Sequence, residues 1–266
     1  MVIIPIIILS RNRPDQLRDM VDSIEARTEP GTYKIIICDN DSQCLKTKKL
    51  LHDLGSKHVV IRNKSNNGFE GFNDGLKEVD TDFFVLSDPD IKLNNNMPLD
   101  WPKIMIKCLN HVNVPKVGLA LKIDYPESKI QKRVFACESN HWKELYKFPF
   151  IEDQCYLAPL DTTFSMYRRD TFLYWKPEET LCFKKNKGLI GPGYISKDYY
   201  NRKYYAFDGK IVSGAHVCIR MGGRFEAEHL GWNFEGKYTD EIKEYSSTSN
   251  IYLASTAKWM KDNGII

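Results

Sequence analysis

Short apolar runs alternate with amphipathic segments through the first third of the chain. Apolar side chains recur at helical spacing at Leu17, Met20, Val21 and Ile24, and further helices are predicted over residues 45–54 and 70–79. The apolar runs, which predict strands, occupy residues 1–9, 33–38, 59–61 and 83–86. Because strands and helices alternate in this way, we expect an α/β fold with a mostly parallel central sheet flanked by helices.

The alternation of strands and helices is less regular beyond Leu93, and we place there a boundary between two halves of the chain. Helices are predicted over residues 101–112 and 249–260, and strands over 117–123, 160–167 and 216–221. Residues 125–153 are polar, and their structure is left open. Since no repeat, low-complexity tract or linker interrupts the chain, all 266 residues are expected to form a single domain with two halves, 1–93 and 94–266.

The composition is that of an ordinary globular protein, with 42% hydrophobic and 27% charged residues. A formal net charge of +3 is too small for a dedicated nucleic-acid-binding protein, so no nucleic-acid partner is expected. The first apolar run has no basic residues before it and no small-residue cleavage site after it, which argues against a signal peptide. Seven scattered cysteines without a CxxC pair favour a reducing compartment, and we therefore expect a cytoplasmic location.

The sharpest candidate for chemistry is the pair Asp88 and Asp90, separated by Pro89, directly after the apolar run at 83–86. Two carboxylates one residue apart at a strand end can both reach a hard divalent cation, Mg²⁺ or Mn²⁺, which would bridge to substrate phosphates. The alternative is an ordinary surface turn, since Asp and Pro are common in turns.

A second candidate is the glycine-rich segment 66–75, which opens the predicted third helix. Glycines let the backbone approach a ligand closely, and a helix amino terminus favours anionic groups. The alternative is a loop followed by a close helix crossing. The segment is neither a GxGxxG dinucleotide fingerprint nor a GxxxxGK[ST] phosphate loop, which disfavours nicotinamide dehydrogenases and P-loop NTPases.

Taken in order, these segments resemble the GT-A glycosyltransferases, particularly family 2. The resemblance rests on four motifs: SRNRP at 10–14, DNDS at 39–42, NNGFEGFN at 66–73 and SDPD at 87–90. It implies the Rossmann-like GT-A fold of nucleotide-diphospho-sugar transferases, with the nucleotide-sugar-binding half at 1–93 and the acceptor-binding half at 94–266.

The same resemblance implies roles for individual residues. The base and ribose of the donor would be held by Ser10, Arg11, Arg13 and Asp39. The donor pocket would be lined by Asn66, Gly68, Phe69 and Asn73. Mn²⁺ or Mg²⁺ on the diphosphate of the donor would be bound by Asp88 and Asp90.

The acceptor half departs from the family, because the Glu-Asp pair that often supplies the catalytic base has no clear copy after residues 167–169. Inverting transfer needs a carboxylate that takes the proton from the acceptor hydroxyl. Asp161, at the polar start of a strand-like run, is the first candidate for this catalytic role, and a turn or strand cap is its alternative. Glu152 and Asp153 preserve the dipeptide but precede the strand, and they are the competing candidates.

His229 follows the last predicted strand, and GT-A enzymes frequently supply a carboxyl-terminal histidine as a further metal ligand. A neutral imidazole suits Mn²⁺ and would complete a shell of oxygen and nitrogen ligands with Asp88 and Asp90. A surface or core histidine is the alternative. Trp232 is a natural platform for the face of a sugar, although core packing explains a tryptophan equally well.

We therefore expect a metal-dependent enzyme that moves a hexose-type sugar from a nucleoside diphosphate to a hydroxyl of a glycan or glycolipid. UDP is the first expectation for the donor nucleotide, and GDP and dTDP are left open. The resemblance implies cell-surface polysaccharide or lipopolysaccharide synthesis, with peripheral contact at the inner face of a membrane. A DxD-type phosphohydrolase and a non-catalytic carbohydrate-binding relative are the alternatives. The sugar, the acceptor, the linkage, inversion against retention and the oligomeric state are left open.

Overall fold

The computed structural model describes residues 2–112, 114, 116–123, 138–158, 160, 163–169, 203–205, 211–213, 218–232 and 237–241. The helices in this part of the chain are α1 (Pro14–Arg27), α2 (Leu45–Leu54), α3 (Asn73–Leu76) and α4 (Trp101–His111). Short 3-10 turns occupy Gly68–Phe72, Ser139–Trp142, Gly223–Phe225 and Leu230–Trp232.

The strands of the described residues, in chain order, are β1 (Ile4–Ser10), β2 (Tyr33–Asp39), β3 (Val59–Arg62), β4 (Phe83–Ser87), β5 (Ile91–Leu93), β6 (Lys116–Leu119), β7 (Leu145–Tyr146), β8 (Cys155–Ala158), β9 (Ser165–Arg168), β10 (Lys203–Tyr205), β11 (Ile211–Ser213), β12 (Cys218–Met221) and β13 (Ala227–His229). The predicted helices at α1, α2 and α4 and the predicted strands at β1 to β4 are confirmed to within a few residues.

Nine strands form one sheet in the order β3-β2-β1-β4-β9-β6-β12-β8-β7. The first four are parallel to one another, and β6 is parallel to β12. Strands β9 and β8 run antiparallel to their neighbours. The predicted α/β class with a mostly parallel central sheet is therefore confirmed. In addition, β10 pairs with β11 and β13 pairs with β5, both antiparallel.

The central strand β1 is buried on both faces of the sheet. Its alternate side chains Ile4, Ile6 and Ile8 join the larger core cluster, to which α1, α2 and α4 contribute their apolar faces. Ile7 and Leu9 point to the opposite face and belong to a second cluster beneath α3. Helices on both faces explain why this strand is an uninterrupted apolar run, since neither face meets water.

The third helix is shorter than the sequence pattern predicts. Instead of a helix over 70–79, the chain forms the 3-10 turn Gly68–Phe72 followed by the single turn of α3. The cause is close packing on the sheet, because a Cβ built on Gly75 would lie 2.6 Å from Sγ of Cys38. The close crossing that was the alternative for this segment is therefore present.

The strands beyond Leu93 also differ from their predicted bounds. The strand predicted at 160–167 begins only at Ser165, because Phe164 has a left-handed backbone with φ +44°. The strand predicted at 117–123 ends at Leu119, beyond which the chain bonds to Ala227 of β13 instead. Strand β8 was not predicted.

The predicted strand at 216–221 is observed from Cys218 onwards. The helix predicted at 249–260 lies outside the described residues. Among the helices of the described residues, none has the length and apolar character that a membrane span requires.

The pairing of β5 with β13 has the greatest consequence for the site. Strand β5 directly follows Asp90, and β13 aligns His229 with Ile91. The backbone N–H of Leu230 also donates to the carbonyl oxygen of Asp90 at 2.7 Å. Residues far apart in the sequence are thereby held together at the carboxyl end of β4.

Candidate active site

The predicted site residues of the first half lie at one edge of the sheet. Ser10, at the end of β1, is in register with Asp39 at the end of β2, and Ile8 is in register with Ser87 at the end of β4. Because these strands are parallel, the polar segments that follow them emerge side by side. The carboxyl edge of such a sheet is where α/β proteins bind their ligands.

Asn12 joins the loop after β1 to the loop after β2. Its backbone N–H donates to Oγ of Ser42 at 2.9 Å, and its Oδ1 accepts from the backbone N–H groups of Gln43 and Cys44 at 2.8 and 3.0 Å. The backbone of Asn12 is left-handed, with φ +50°, a conformation that asparagine tolerates better than most residues. The short amide side chain therefore fixes the shape of both loops.

Asn40 organises the glycine-rich segment. Its Nδ2 donates to Oδ1 of Asn66 at 2.8 Å and to the carbonyl oxygen of Gly68 at 3.0 Å. Its Oδ1 accepts from the backbone N–H of Asn67 at 3.1 Å and from Nδ2 of Asn63 at 3.3 Å. Asn12, Asn40, Asn63 and Asn66 form what we call the asparagine network. Every one of these hydrogen bonds joins neutral groups.

Glycine at position 71 is a steric requirement of this network. A Cβ built there would lie 2.6 Å from Oδ1 of Asn40 and 2.7 Å from Cδ1 of Leu9. Carbon cannot approach this closely without displacing a neighbour, so Gly71 lets the segment rest directly on Asn40. Of the predicted pocket residues, Asn73 begins α3, and Phe69 is part of the preceding 3-10 turn.

Two oxygen-bearing side chains at this edge are almost completely buried. Oγ of Ser10 has no hydrogen-bond partner among the described residues. The Asp39 carboxylate accepts long hydrogen bonds, of 3.3 and 3.4 Å, from the backbone N–H of Ser42, and the side chain of Ser42 also bonds to it. Burial raises the pKa of Asp39, an effect that these hydrogen bonds only partly oppose. Both groups can accept or share hydrogen bonds with a polar ligand.

Asp90 is buried, with 4% of its surface exposed, and it lies between two basic side chains. Its Oδ2 accepts a hydrogen bond from Nη1 of Arg13 at 2.8 Å and is 3.7 Å from Nε2 of His229. Burial acts to raise the pKa of Asp90, but the charges of His229 and Arg13 lower it further, so the pKa lies below its ordinary value. The carboxylate is therefore held ionised.

A second glycine is a steric requirement here. A Cβ built on Gly231 would lie 2.7 Å from Oδ2 of Asp90 and 3.0 Å from Cε1 of His229. The imidazole of His229 stacks on the indole of Trp232, with centroids 4.4 Å apart and planes inclined by 8°. Trp232 therefore supports the ring of His229. We call Arg13, Asp90, His229 and Gly231 the Asp90 cluster.

Two residues of the Asp90 cluster, Asp90 and His229, offer atoms that can bind a divalent cation. The second carboxylate oxygen, Oδ1 of Asp90, is buried and has no hydrogen-bond partner among the described residues, and such an oxygen is costly to bury unless something binds it. An imidazole beside a carboxylate is a ligand pair that Mn²⁺ accepts. Within the described part of the chain, no three His, Cys, Asp or Glu side chains form a group ready to hold a metal ion. The predicted set of Asp88, Asp90 and His229 is therefore not such a group.

Asp88 is half-buried in the turn after β4. Oγ of the preceding Ser87 donates to the carbonyl oxygen of Asp88 at 3.0 Å and accepts from the backbone N–H of Phe164 at 3.1 Å. This serine links the turn that carries the two aspartates to the start of β9. Arg11, the remaining predicted residue of the first loop, is also half-buried.

The candidates for the catalytic base differ in their surroundings. Asp161 lies outside the described residues. The Asp153 carboxylate accepts hydrogen bonds from the backbone N–H of Arg224 at 2.9 Å and from its guanidinium at 2.8 to 3.3 Å. Burial acts to raise the pKa of Asp153, but these hydrogen bonds hold it below its ordinary value. Glu152 is exposed.

Sequence reasoning missed several residues that shape this edge. Asn12 and Asn40 were named only as parts of the motifs at 10–14 and 39–42, and Gly231 was not singled out. Arg13, for which the resemblance implied contact with the base or ribose, is bonded to Asp90, a contact that the sequence did not indicate. A detectable signal was the position of Asn12 and Asn40, each within two residues of a strand end at the ligand edge.

Comparisons with known proteins agree with this architecture. The family model described as Glycosyl transferase family 2 matches residues 6–98. The mannosyltransferase PcManGT from Pyrobaculum calidifontis, solved with GDP-Man and Mn²⁺, is similar over 99% of this chain and 80% of its own, with 11% identity and a TM-score of 0.54. At that identity, the likeness shows the fold alone. No curated protein sequence matches the chain.

A more partial likeness extends to TarS from S. aureus, solved in complex with UDP-GlcNAc. It covers 64% of this chain and 46% of the TarS chain, with 15% identity and a TM-score of 0.45. The chain thus spans less than half of that TarS structure. The resemblance to family 2 is confirmed by the match over residues 6–98, and the likeness to PcManGT shows that the chain has the same fold as that protein.

Proposed function

We propose that the protein transfers a sugar from a UDP-linked donor to a hydroxyl of a glycan or glycolipid, with Mn²⁺ or Mg²⁺ as cofactor. The observation that carries the proposal is the buried, ionised Asp90 beside His229, at the carboxyl end of β4 in a chain whose first third matches family 2. In this proposal the chain is one domain, with the donor bound by residues 1–93 and the acceptor by 94–266.

The donor nucleoside lies against the asparagine network in this proposal. Asn12 and Asn40 hold the loops after β1 and β2 in place through hydrogen bonds between neutral groups, so the pocket has its shape before the ligand binds. Ser10 and Asp39 supply buried oxygen atoms at the bottom of this edge for the ribose and the base. Positioning of this kind supplies a large part of the rate enhancement in group transfer.

Asp90 and His229 are the proposed protein ligands of the cation, with Asp88 as a further candidate from the same turn. When bound, the cation would neutralise the charge that develops on the departing diphosphate. Asp90 is kept ionised by its basic neighbours, and Gly231 lets the backbone that follows His229 lie directly against the carboxylate. The backbone hydrogen bond from Leu230 holds the two halves of this cluster together.

Asp161 is the proposed catalytic base, and its role predicts an inverting reaction. The support comes from its neighbours, because Phe164, three residues further along, bonds to the serine that precedes Asp88. Of the competing candidates, Asp153 is bound to Arg224, and its lowered pKa makes it a weaker proton acceptor. Exposed Glu152 remains the alternative base.

The acceptor and setting of the reaction are also proposed. We propose that the enzyme lies in the cytoplasm, with peripheral contact at the inner face of a membrane. There it would take part in the synthesis of cell-surface polysaccharide or lipopolysaccharide. A phosphohydrolase is disfavoured because its DxD pair would follow the first strand, whereas Asp88 and Asp90 follow β4. A non-catalytic carbohydrate-binding protein would bind a glycan without turning over a donor.

Calorimetry with UDP, GDP and dTDP, each with and without Mn²⁺, tests the proposed donor. We expect UDP to bind most tightly and to need the cation. A phosphohydrolase would show no preference among the nucleosides, and that result would contradict the proposal.

Asp161→Asn tests the proposed base. It should slow transfer by at least about 100-fold, the usual contribution of a general base, while UDP affinity stays within about twofold. Asp22→Asn, at an exposed position of α1, is the matched control. A normal transfer rate in Asp161→Asn would move the base to Glu152 or Asp153, or indicate a retaining reaction.

A further inference from the structure

Arg13 and Asp90 form an ion pair that joins two distant parts of the sequence. Arg13 is the last residue before α1, and Asp90 follows β4, 77 positions later. Both side chains are largely buried, with 14% and 6% of their surfaces exposed. Nη1 of Arg13 is bonded to the same oxygen, Oδ2, that faces His229. The positive charge of Arg13 is therefore placed at the carboxylate that the proposed cation needs.

The ion pair offsets the free-energy cost of burying the ionised Asp90 carboxylate. An ionised carboxylate that is 4% exposed is strongly destabilising unless an opposite charge lies beside it. Arg13 is permanently charged and supplies that compensation when no cation is bound. A divalent cation at Asp90 would supply it as well, and the two positive charges would then repel each other at short range.

We propose that Arg13 is the internal counter-ion of Asp90 and that a divalent cation binds in competition with it. The inference rests on the proposed function, because it takes Asp90 as a metal ligand. Arg13 then keeps the affinity for the free cation low. A nucleoside diphosphate adds negative charge on the other side of the cation, which offsets the repulsion, so cation and donor bind cooperatively.

The affinity for Mn²⁺ alone, measured by titration with detection of free Mn²⁺ by paramagnetic resonance, tests this competition. Arg13→Gln keeps a hydrogen-bond donor but removes the charge, and we expect it to raise the affinity for Mn²⁺ by roughly tenfold. Arg13→Lys keeps the charge and should stay close to the parent. Arg18→Ala removes an arginine from an exposed position of α1 and is the matched control.

The linkage between cation and nucleotide gives a second readout. In the parent, UDP should strengthen Mn²⁺ binding more than it does in Arg13→Gln, because the variant lacks the repulsion between Arg13 and the cation. An unchanged or weaker affinity for Mn²⁺ in Arg13→Gln would overturn the proposal and would indicate that Arg13 only holds Asp90 in place.

A double-mutant cycle in the absence of metal keeps the test decisive if Arg13→Gln is too unstable to titrate. Arg13→Gln alone should lower the melting temperature by roughly 5 °C, and combining it with Asp90→Asn should restore part of that loss. A double variant no more stable than Arg13→Gln would show that the two charges do not compensate each other. If the parent binds no Mn²⁺ even with UDP, the proposed cofactor is wrong, while the cycle still decides whether Arg13 neutralises Asp90.

Discussion

The two parts of the candidate site are held together by different physical means. The asparagine network uses neutral amides that bond to backbone groups and to one another at the ends of β1, β2 and β3. The Asp90 cluster uses buried charge, with Asp90 between Arg13 and His229. Each part contains a glycine that is packed so closely that no side chain would fit at its position, Gly71 in the first and Gly231 in the second.

This difference separates two tasks. A neutral network keeps its geometry whatever the pH or the cation concentration, because none of its members titrates near neutrality. A buried charged cluster responds to both, since each charge added or removed changes the cost of burying the others. We therefore expect nucleoside binding to depend on the asparagine network and cation binding to depend on the Asp90 cluster.

The largest expected effect comes from removing the charge of the Asp90 cluster. Asp90→Asn keeps the shape of the side chain but removes the carboxylate that pairs with Arg13 and that we propose as the main ligand of the cation. We expect Mn²⁺ binding to be lost. Transfer should fall by at least about 100-fold, because the interaction of the cation with the departing diphosphate contributes several kcal/mol. Stopped-flow or coupled measurement of UDP release checks the rate.

Asp22→Asn, exposed on α1, is again the control for that experiment and should leave the rate unchanged. Full Mn²⁺-dependent turnover in Asp90→Asn would show that the cation does not depend on the Asp90 cluster. It would contradict the expectation that cation binding and nucleoside binding depend on different regions.

An intermediate effect is expected from the same substitution made in each region. Gly71→Ala would place a Cβ 2.6 Å from Oδ1 of Asn40, and Gly231→Ala would place one 2.7 Å from Oδ2 of Asp90. Each should cost about 1–3 kcal/mol of stability, as overpacking usually does. Gly71→Ala should weaken UDP binding at saturating Mn²⁺ by about tenfold and leave the binding of Mn²⁺ alone intact, whereas Gly231→Ala should weaken the binding of Mn²⁺ alone and leave UDP binding at saturating Mn²⁺ intact.

Calorimetry of both variants with each ligand separates the two effects. Equal losses of UDP and Mn²⁺ affinity in both glycine variants would mean that the two regions form one cooperative unit.

The smallest expected effect concerns Glu241, which lies in neither region but supports the start of α1 next to Arg13. Its carboxylate accepts hydrogen bonds from the backbone N–H groups of Asp15 at 2.5 Å and Gln16 at 3.3 Å. The same segment contacts α1 again through Asp19, which is bonded to both Lys237 and Tyr238. Burial raises the pKa of Glu241 from 4.5 to about 7, although the two backbone hydrogen bonds oppose the rise.

The sign of the pH dependence follows from that shift. The unfolded chain releases the proton of Glu241 near pH 4.5 and the folded chain only near pH 7, so raising the pH across this window favours unfolding. Glu241→Gln removes this dependence. We expect the melting temperature of the variant, relative to the parent, to rise by about 2–4 °C between pH 5 and pH 8, as determined by calorimetry. A constant difference over this range would show that Glu241 ionises normally in the folded protein.

The first half of the fold was predictable because its signals are local. The uninterrupted apolar run of β1, the helical spacing in α1 and the aspartates after β4 lie within short windows of the sequence. Asp90 was identified for the same reason, since its place at a strand end can be read from its immediate neighbours. Even here, α3 was predicted too long, because the packing of Gly75 on Cys38 is not visible in a local pattern.

What the sequence by itself determined is therefore the order of strands and helices, the parallel sheet and the polar edge that carries Asp39 and Asp90. Only the tertiary structure decided that Arg13 pairs with Asp90, that His229 and Gly231 lie beside them, and that Asn40 supports the glycine-rich segment. The physical reason is distance along the chain. Hydrophobic periodicity acts over one element, whereas these contacts join residues that are distant in the sequence. His229 and Gly231 meet Asp90 only because β13 pairs with β5.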